Sequence, residues 1–326
     1  MNYIGSKLKL SSWIKEVITS YINPKEKVFC DIFAGTGIVG RTFKKEAKQV
    51  IANDIEEYAF VLNRNYIANH KNLKEKLEIV EYLNNLPLKE DGFIYNNYCS
   101  PSGRLYFSDD NGKKIDTIRN KIEEFKNDSD TYYFLLASLL ESADKVANTA
   151  SVYGAYLKKI KKSAQKELIL EPALYEENDN EHFVFKEDAN ELIKKISGDI
   201  LYLDPPYNHR QYGANYHLLN TIAEYKEFEP KGVSGLREYY KSSYCRKNEV
   251  KKTFEDLISN ADFKYIFLSY NNEGLMSEND IKEIMSKFGE YNLEIKEYQR
   301  FKADRNENRN HKADKTYEYL HVLIKK

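Results

Sequence analysis

The chain alternates between short apolar runs and longer stretches in which apolar side chains recur every three or four positions. Residues 28–33 (Val-Phe-Cys-Asp-Ile-Phe), 49–53 and 199–203 are runs of strand length bounded by polar sequence. Such runs read as strands buried on both faces. Residues 6–22 place Leu8, Trp13, Ile14, Val17 and Ile18 at helical spacing, and Asn23-Pro24 ends the pattern. A helical pattern follows the first strand as far as Lys48, and another covers 56–70. This is the rhythm of a parallel sheet with crossover helices. Residues 71–181 break it: 91–110 is rich in Tyr, Asn, Ser and Gly, while 113–126 and 132–146 read as helices. The alternation resumes with a strand at 182–186, a helix at 189–196 and the run ending at Leu203. A helix at 216–225 and an irregular stretch at 229–244 follow. Then come a strand at 263–270, a helix at 277–288, a strand at 291–301, a polar segment at 302–315 and a last strand at 316–324. The final two strands lack a helix between them, which predicts an antiparallel hairpin on one sheet edge.

Length and composition fit this outline. The 326 residues suffice for one α/β domain, built from 1–70 and 182–326, with a mainly helical insertion at 71–181. Hydrophobic residues make up 41% and charged residues 31%, which provides for a core and a soluble surface. No apolar run approaches a membrane span, and Met1-Asn2-Tyr3-Ile4 lacks the pattern of a signal peptide, so a cytoplasmic protein without membrane contact is expected. Cys30, Cys99 and Cys245 are far apart and join no Cys/His cluster, so neither a metal site nor disulfides are expected. Lys and Arg total 50 against 51 Asp and Glu, a net charge of −1. Any nucleic-acid surface must therefore be local. Lys158-Lys159-Ile160-Lys161-Lys162, Arg246-Lys247 with Lys251-Lys252, and residues 305–315 are the basic stretches; taken alone, each reads as a solvated face.

Two stretches carry candidate chemistry. Ala34-Gly35-Thr36-Gly37-Ile38-Val39-Gly40 follows the first strand and opens a helix, and Asp54 ends the second strand. Glycines admit a ligand close to the backbone, and an acid at the next strand end can bind ribose hydroxyls. The same spacing fits a dinucleotide fingerprint, so a nicotinamide dehydrogenase competes. Asp31 and Phe33 just before the glycines favour the cationic amino end of S-adenosylmethionine over a pyrophosphate. The second stretch is Asp204-Pro205-Pro206-Tyr207 at the end of the run 199–203. Two prolines stop strand and helix alike and remove two N–H donors. A carboxylate, backbone carbonyls and an aromatic ring suit a planar base with an exocyclic NH2. Read alone, it is also a common proline turn.

Together these residues resemble the DNA adenine-N6 methyltransferases, and within them the Dam-like D12 class of restriction–modification methylases. Asn2-Tyr3-Ile4-Gly5-Ser6-Lys7-Leu8-Lys9-Leu10 is similar to that group's N-terminal cofactor motif, Asp31-Ile32-Phe33-Ala34-Gly35-Thr36-Gly37 to its glycine motif, and Asp54 to its ribose-binding acid. Asp204-Pro205-Pro206-Tyr207 is similar to the catalytic tetrapeptide, and Asp188 stands where the family places an acid near the cofactor adenine. The resemblance implies a Rossmann-like, seven-stranded, mostly parallel methyltransferase fold, with 71–181 as a helical target-recognition subdomain. It implies S-adenosyl-L-methionine as cofactor, held by Tyr3, Gly5, Lys7, Asp31, Phe33, Ala34, Gly35, Thr36, Gly37, Asp54 and Asp188. It further implies catalysis by Asp204, Pro205, Pro206 and Tyr207 without metal. The substrate would be double-stranded DNA at a short site, with a cognate restriction endonuclease as a possible partner and a monomeric or weakly dimeric enzyme. Tyr207-Asn208-His209-Arg210-Gln211-Tyr212, Asn215-Tyr216-His217, Tyr270-Asn271-Asn272-Glu273-Gly274 and Arg300-Phe301-Lys302 resemble a subgroup that includes enzymes for the palindrome CATG. Arg104, Arg119, Arg210 and Gln211 are candidate DNA contacts, since Arg and Gln can read base edges. Methylation of cytosine N4, of RNA adenine or of a protein glutamine would share the cofactor half. Those relatives more often resemble Ser or Asn in place of Asp204.

Overall fold

The computed structural model describes residues 7–299 and 315–326. Seven strands form one sheet: β1 (Val28–Asp31), β2 (Gln49–Asn53), β3 (Phe183–Phe185), β4 (Ser197–Leu203), β5 (Asp262–Asn271), β6 (Gly289–Gln299) and β7 (Lys315–Lys325), in the order β3-β2-β1-β4-β5-β7-β6. β1 pairs parallel with β2 and β4, and β4 parallel with β5. β7 runs antiparallel to both β5 and β6. The predicted hairpin is thus present, with its second strand lying inside the first. β7 carries the buried run Leu320, His321, Val322 and Leu323 and is covered on both edges. β6 is the edge strand, with Glu290 and Glu297 exposed, where charges discourage further pairing. From β1 the chain builds outward to β2 and β3 on one side and to β4 and β5 on the other. The order reverses between β1 and β4, which is where open parallel sheets bind ligands, outside the carboxyl ends of the strands.

The described residues fall into two compact units. One comprises residues 7–55, 185–211 and 241–326 and contains nearly the whole sheet. Its core joins Cys30, Ile51, Leu201, Leu203, Ile266 and Leu268 of the strands to apolar faces of flanking helices. One such helix, Val250–Asn260, was not anticipated, although Val250, Phe254, Leu257 and Ile258 stand at helical spacing and all are buried. The helix after the glycines is shorter than expected and ends at Phe43.

The other unit is helical and comprises Glu56–Val184 and Tyr212–Tyr240. It is larger than the expected insertion at 71–181. Tyr58, Val61 and Leu62 of helix Glu57–Asn63 share one core with Leu218, Leu219 and Ile222 of helix His217–Glu224, and helix Ser129–Val146 contributes Leu135, Leu136, Leu139 and Leu140. Segments on both sides of the expected insertion are therefore needed to close this core. Helices Lys76–Asn84 and Phe93–Tyr98 lie where none was anticipated.

Candidate active site

The glycine turn is built by close backbone bonding at the ends of β1 and β2. Ala34 N–H donates to the Asn53 carbonyl at 2.9 Å, and Gly35 N–H donates to Asp54 Oδ2 at 2.8 Å. Gly35 and Gly37 have φ of 52° and 76°, the left-handed region in which a side chain would be strained. Asn53 was not singled out from the sequence, yet it organises this corner. Its fully buried amide donates to the carbonyls of Ile32 and Glu187, both at 3.1 Å, and accepts from Glu187 N–H at 3.0 Å. The strand β1 end, the Asp54 corner and the segment leading to Asp188 are thereby tied together. Asp188 caps the short helix Ala189–Leu192 through the N–H groups of Asn190 and Glu191. Phe33 packs edge-on against Tyr244, with ring centroids 5.1 Å apart.

The second motif leaves β4, the strand next to β1. Neither the Pro205 nor the Pro206 carbonyl accepts a hydrogen bond from any described residue, whereas the Tyr207 carbonyl accepts from Leu275 N–H at 2.9 Å. The Tyr207 ring meets Tyr270 edge-on at 6.0 Å. The Asp204 carboxylate is 18% exposed, and its Oδ1 lies 3.2 Å from Lys7 Nζ. Lys7 is in turn 2.8 Å from Glu318 Oε1, and that oxygen accepts from Ser269 Oγ at 2.5 Å.

Burial dominates the electrostatics here. It raises Asp204 to about 6, against the opposing pull of Lys7 and with help from Glu318. Burial, with Asp204 and Asp54 nearby, pushes Asp31 well above the usual carboxylate range. Lys7 is held protonated by Asp204 and Glu318, which outweigh its own burial. The Asp31 Oδ1 atom is buried with no hydrogen-bond partner among the described residues. Two carboxylates, Asp204 and Glu318, face one ammonium, and a third, Asp31, has an oxygen without a partner among the described residues. That donor set fits a ligand bearing positive charge and does not fit a pyrophosphate.

Tyr3 and Gly5 lie outside the described residues, as do Arg300, Phe301 and Lys302 and most of the basic stretch at 305–315. One candidate DNA contact is corrected. Arg119 is 1% exposed inside the helical unit. Its guanidinium donates to the Ile222 and Ala223 carbonyls, each at 2.9 Å, and pairs with Glu123. Those carbonyls end helix His217–Glu224 and need such donors, so Arg119 is a helix cap and not a DNA contact. Gln211 is half-buried and holds the backbone of Ser242, accepting from its N–H at 2.9 Å and donating to its carbonyl at 3.5 Å. Arg104 is half-buried and donates to the Asn97 and Gly232 carbonyls, while Arg210 is exposed. Lys158, Lys159 and Lys162 are exposed with no acidic partner among the described residues, whereas Arg246 pairs with Glu249 and Lys251 with Asp280.

Residues 3–284 match the family model of the D12 class N6 adenine-specific DNA methyltransferases. The chain belongs to this family. It is 63% identical to the type II methyltransferase M.NlaIII of Neisseria lactamica, over 100% of this chain and 99% of that protein. It is 42% identical to the type II methyltransferase M.CviAII of Paramecium bursaria Chlorella virus 1, over 93% of each. It is 39% identical to the type II methyltransferase M.FokI of Planomicrobium okeanokoites, over 100% of this chain and 53% of that protein. The enzyme is thus an adenine-specific DNA methyltransferase of the restriction–modification type, and the glycine turn is a methyltransferase motif rather than a dehydrogenase one. The seven-stranded, mostly parallel sheet is the architecture expected of it. Among the described residues, no helix of this methyltransferase is long and apolar enough to cross a membrane.

Proposed function

We propose that this methyltransferase transfers the methyl group of S-adenosyl-L-methionine to adenine N6 at one short duplex site, with Asp204 and the Pro205 carbonyl as the paired acceptors of the amino hydrogens. The observation that carries this reading is the carboxylate at the end of β4, followed by two carbonyls that nothing else in the described protein uses. When bound, the cofactor supplies an electrophilic methyl on a sulfonium sulfur. Asp31, Phe33, the glycine turn, Asp54 and Asp188 would hold it, and the partnerless Asp31 oxygen is available to a cationic amino group. Adenine N6 is a poor nucleophile because its lone pair is delocalised into the ring. Two acceptors drawing on its hydrogens pull the nitrogen toward tetrahedral geometry and free the lone pair for in-line attack. No covalent bond to the protein is required, and the acceleration comes from orientation and fixed charges. The target atom is inaccessible inside a duplex, so the base flips out and Tyr207 stacks on it.

Target recognition belongs to the helical unit and the segment after the tetrapeptide. Lys158, Lys159 and Lys162 serve as phosphate contacts there, with Arg210 and Arg104 as further candidates. The enzyme works in the cytoplasm as a monomer or weak dimer and protects DNA against a cognate endonuclease. Expression in a methylation-free host, followed by single-base sequencing for N6-methyladenine, tests the reaction and its site together. One short motif should be marked at every occurrence, with CATG the first to score. Absence of any mark while the purified protein binds the cofactor would refute DNA as substrate.

Asp54→Ala should raise the cofactor dissociation constant more than about tenfold, because charged hydrogen bonds to the ribose and the Gly35 anchor are both lost. Calorimetric titration with S-adenosylhomocysteine measures this, and an unchanged constant would remove Asp54 from the site.

A further inference from the structure

We infer that Glu318, on the last strand and braced by Ser269, is a positioning residue that anchors Lys7 so that its ammonium steadies one oxygen of Asp204 without capturing the carboxylate. The three residues sit around consecutive strands of the sheet. Asp204 follows β4, Ser269 lies in β5 and Glu318 in β7, where Asn271 and Glu318 are register partners. Glu318 Oε1 receives two donors, Lys7 Nζ at 2.8 Å and Ser269 Oγ at 2.5 Å. The contact from Lys7 to Asp204 Oδ1 is longer, 3.2 Å. Lys7, Ser269 and Glu318 are 7%, 1% and 2% exposed, so water does not weaken these bonds.

The division of distances has a chemical consequence. A lysine paired with Asp204 alone would settle fully on that carboxylate and compete with the adenine amino group for its oxygens. Anchored on Glu318, the ammonium reaches Asp204 at one oxygen only. Burying an ammonium with two carboxylates is unfavourable unless each is paired, and an apolar filling would stabilise the fold as well. The arrangement therefore points to the reaction rather than to stability. This inference rests on Asp204 as the catalytic acceptor.

The test is the acid limb of the rate–pH profile together with the split between kcat and KM. The groups facing Asp204 are Lys7 and Glu318, and those facing Lys7 are Asp204, Glu318, Tyr202 and Tyr207; Asp31 also looks toward Asp204. Glu318→Gln removes a negative charge near Asp204 and releases Lys7 onto it. Both changes ease ionisation of Asp204, so the acid limb should move to lower pH. At the same time kcat should fall about tenfold or more, with KM for DNA and the dissociation constant of S-adenosylhomocysteine within about threefold. Ser269→Ala removes only the brace and should shift both quantities the same way by less; it decides the matter if Glu318→Gln does not fold. The double variant Lys7→Met/Glu318→Gln should be no slower than Lys7→Met, because Glu318 acts through Lys7. Unchanged kcat and acid limb in the folded variants, a loss confined to melting temperature, or losses that multiply in the double variant would each overturn the proposal. An active Asp204→Asn enzyme would instead overturn the assignment of Asp204, so the two failures are distinguishable.

Discussion

Asp204→Asn should lose turnover by about a hundredfold to a thousandfold, the range seen when one preorganised hydrogen-bonding group at a reacting centre is removed, while still binding DNA. It should also unfold at a higher temperature than the parent enzyme at pH 8. The second expectation follows from the first group's surroundings. Burial raises Asp204 from the ordinary carboxylate value to about 6, so the folded enzyme holds this proton more tightly than the unfolded chain. For an acid shifted upward, stability falls as pH rises from about 4 to about 6 and is level above that window. A shift of about two units corresponds to about 3 kcal/mol lost by the parent at pH 8, which the neutral isostere does not lose. Parallel melts of parent and variant from pH 4 to pH 8 isolate Asp204, because Asp31 and Glu318 are common to both. The curves should converge at the acid end and separate above pH 6. A variant that turned over within tenfold of the parent would dismiss Asp204 as acceptor. Superimposed melts would show that its carboxylate is not held at a disadvantage by the site.

Arg119→Met should destabilise the helical unit by about 1–3 kcal/mol, the loss expected when buried acceptors are left unsatisfied. The substitution leaves the Ile222 and Ala223 carbonyls without their donor and Glu123 without its closest cation, although Lys126 still reaches Glu123. Hydrogen exchange should report loss of protection first in helix His217–Glu224, whose end Arg119 closes. DNA methylation would fail through loss of structure, with a fall in melting temperature that accounts for it. A variant with parental stability and selectively weakened DNA binding would return Arg119 to the DNA surface.

The correction of Arg119 was foretold in the sequence. Ile115, Ile118, Arg119 and Ile122 form one helical stripe, so Arg119 lies on the apolar face where a solvated arginine has no place. The pattern held the signal; the charge obscured it. The contact of Gln211 with Ser242 left no such signal, because it joins a side chain to backbone brought near only by the folded chain. The two turns were legible for the opposite reason. Proline and glycine restrict the backbone wherever they stand, so strand–glycine turn and strand–diproline turn can be read without knowing their neighbours. Glu318 is intermediate. It shares the period-two face of Leu320 and Val322 in β7 and should therefore be buried, but no local rule names Lys7 as its partner. The boundary at 71–181 missed because an apolar helix face says that a core exists, not which core. Helices Glu57–Asn63 and His217–Glu224 have ordinary amphipathic faces, and only packing assigns them to the helical unit.

That assignment bears on inheritance. A gene exchange that replaced codons 71–181 with those of a relative would bring in only part of a hydrophobic core. Tyr58, Val61 and Leu62 upstream, and Leu218, Leu219 and Ile222 downstream, would meet side chains they had not been selected with. Two separated stretches of the gene, on either side of the Asp204 tetrapeptide, must travel together for the transplant to pack. A recombination event that moved both would have to carry the Asp204 turn between them. In this chain a transplant of the helical unit is thus also a transplant of the Asp204 turn.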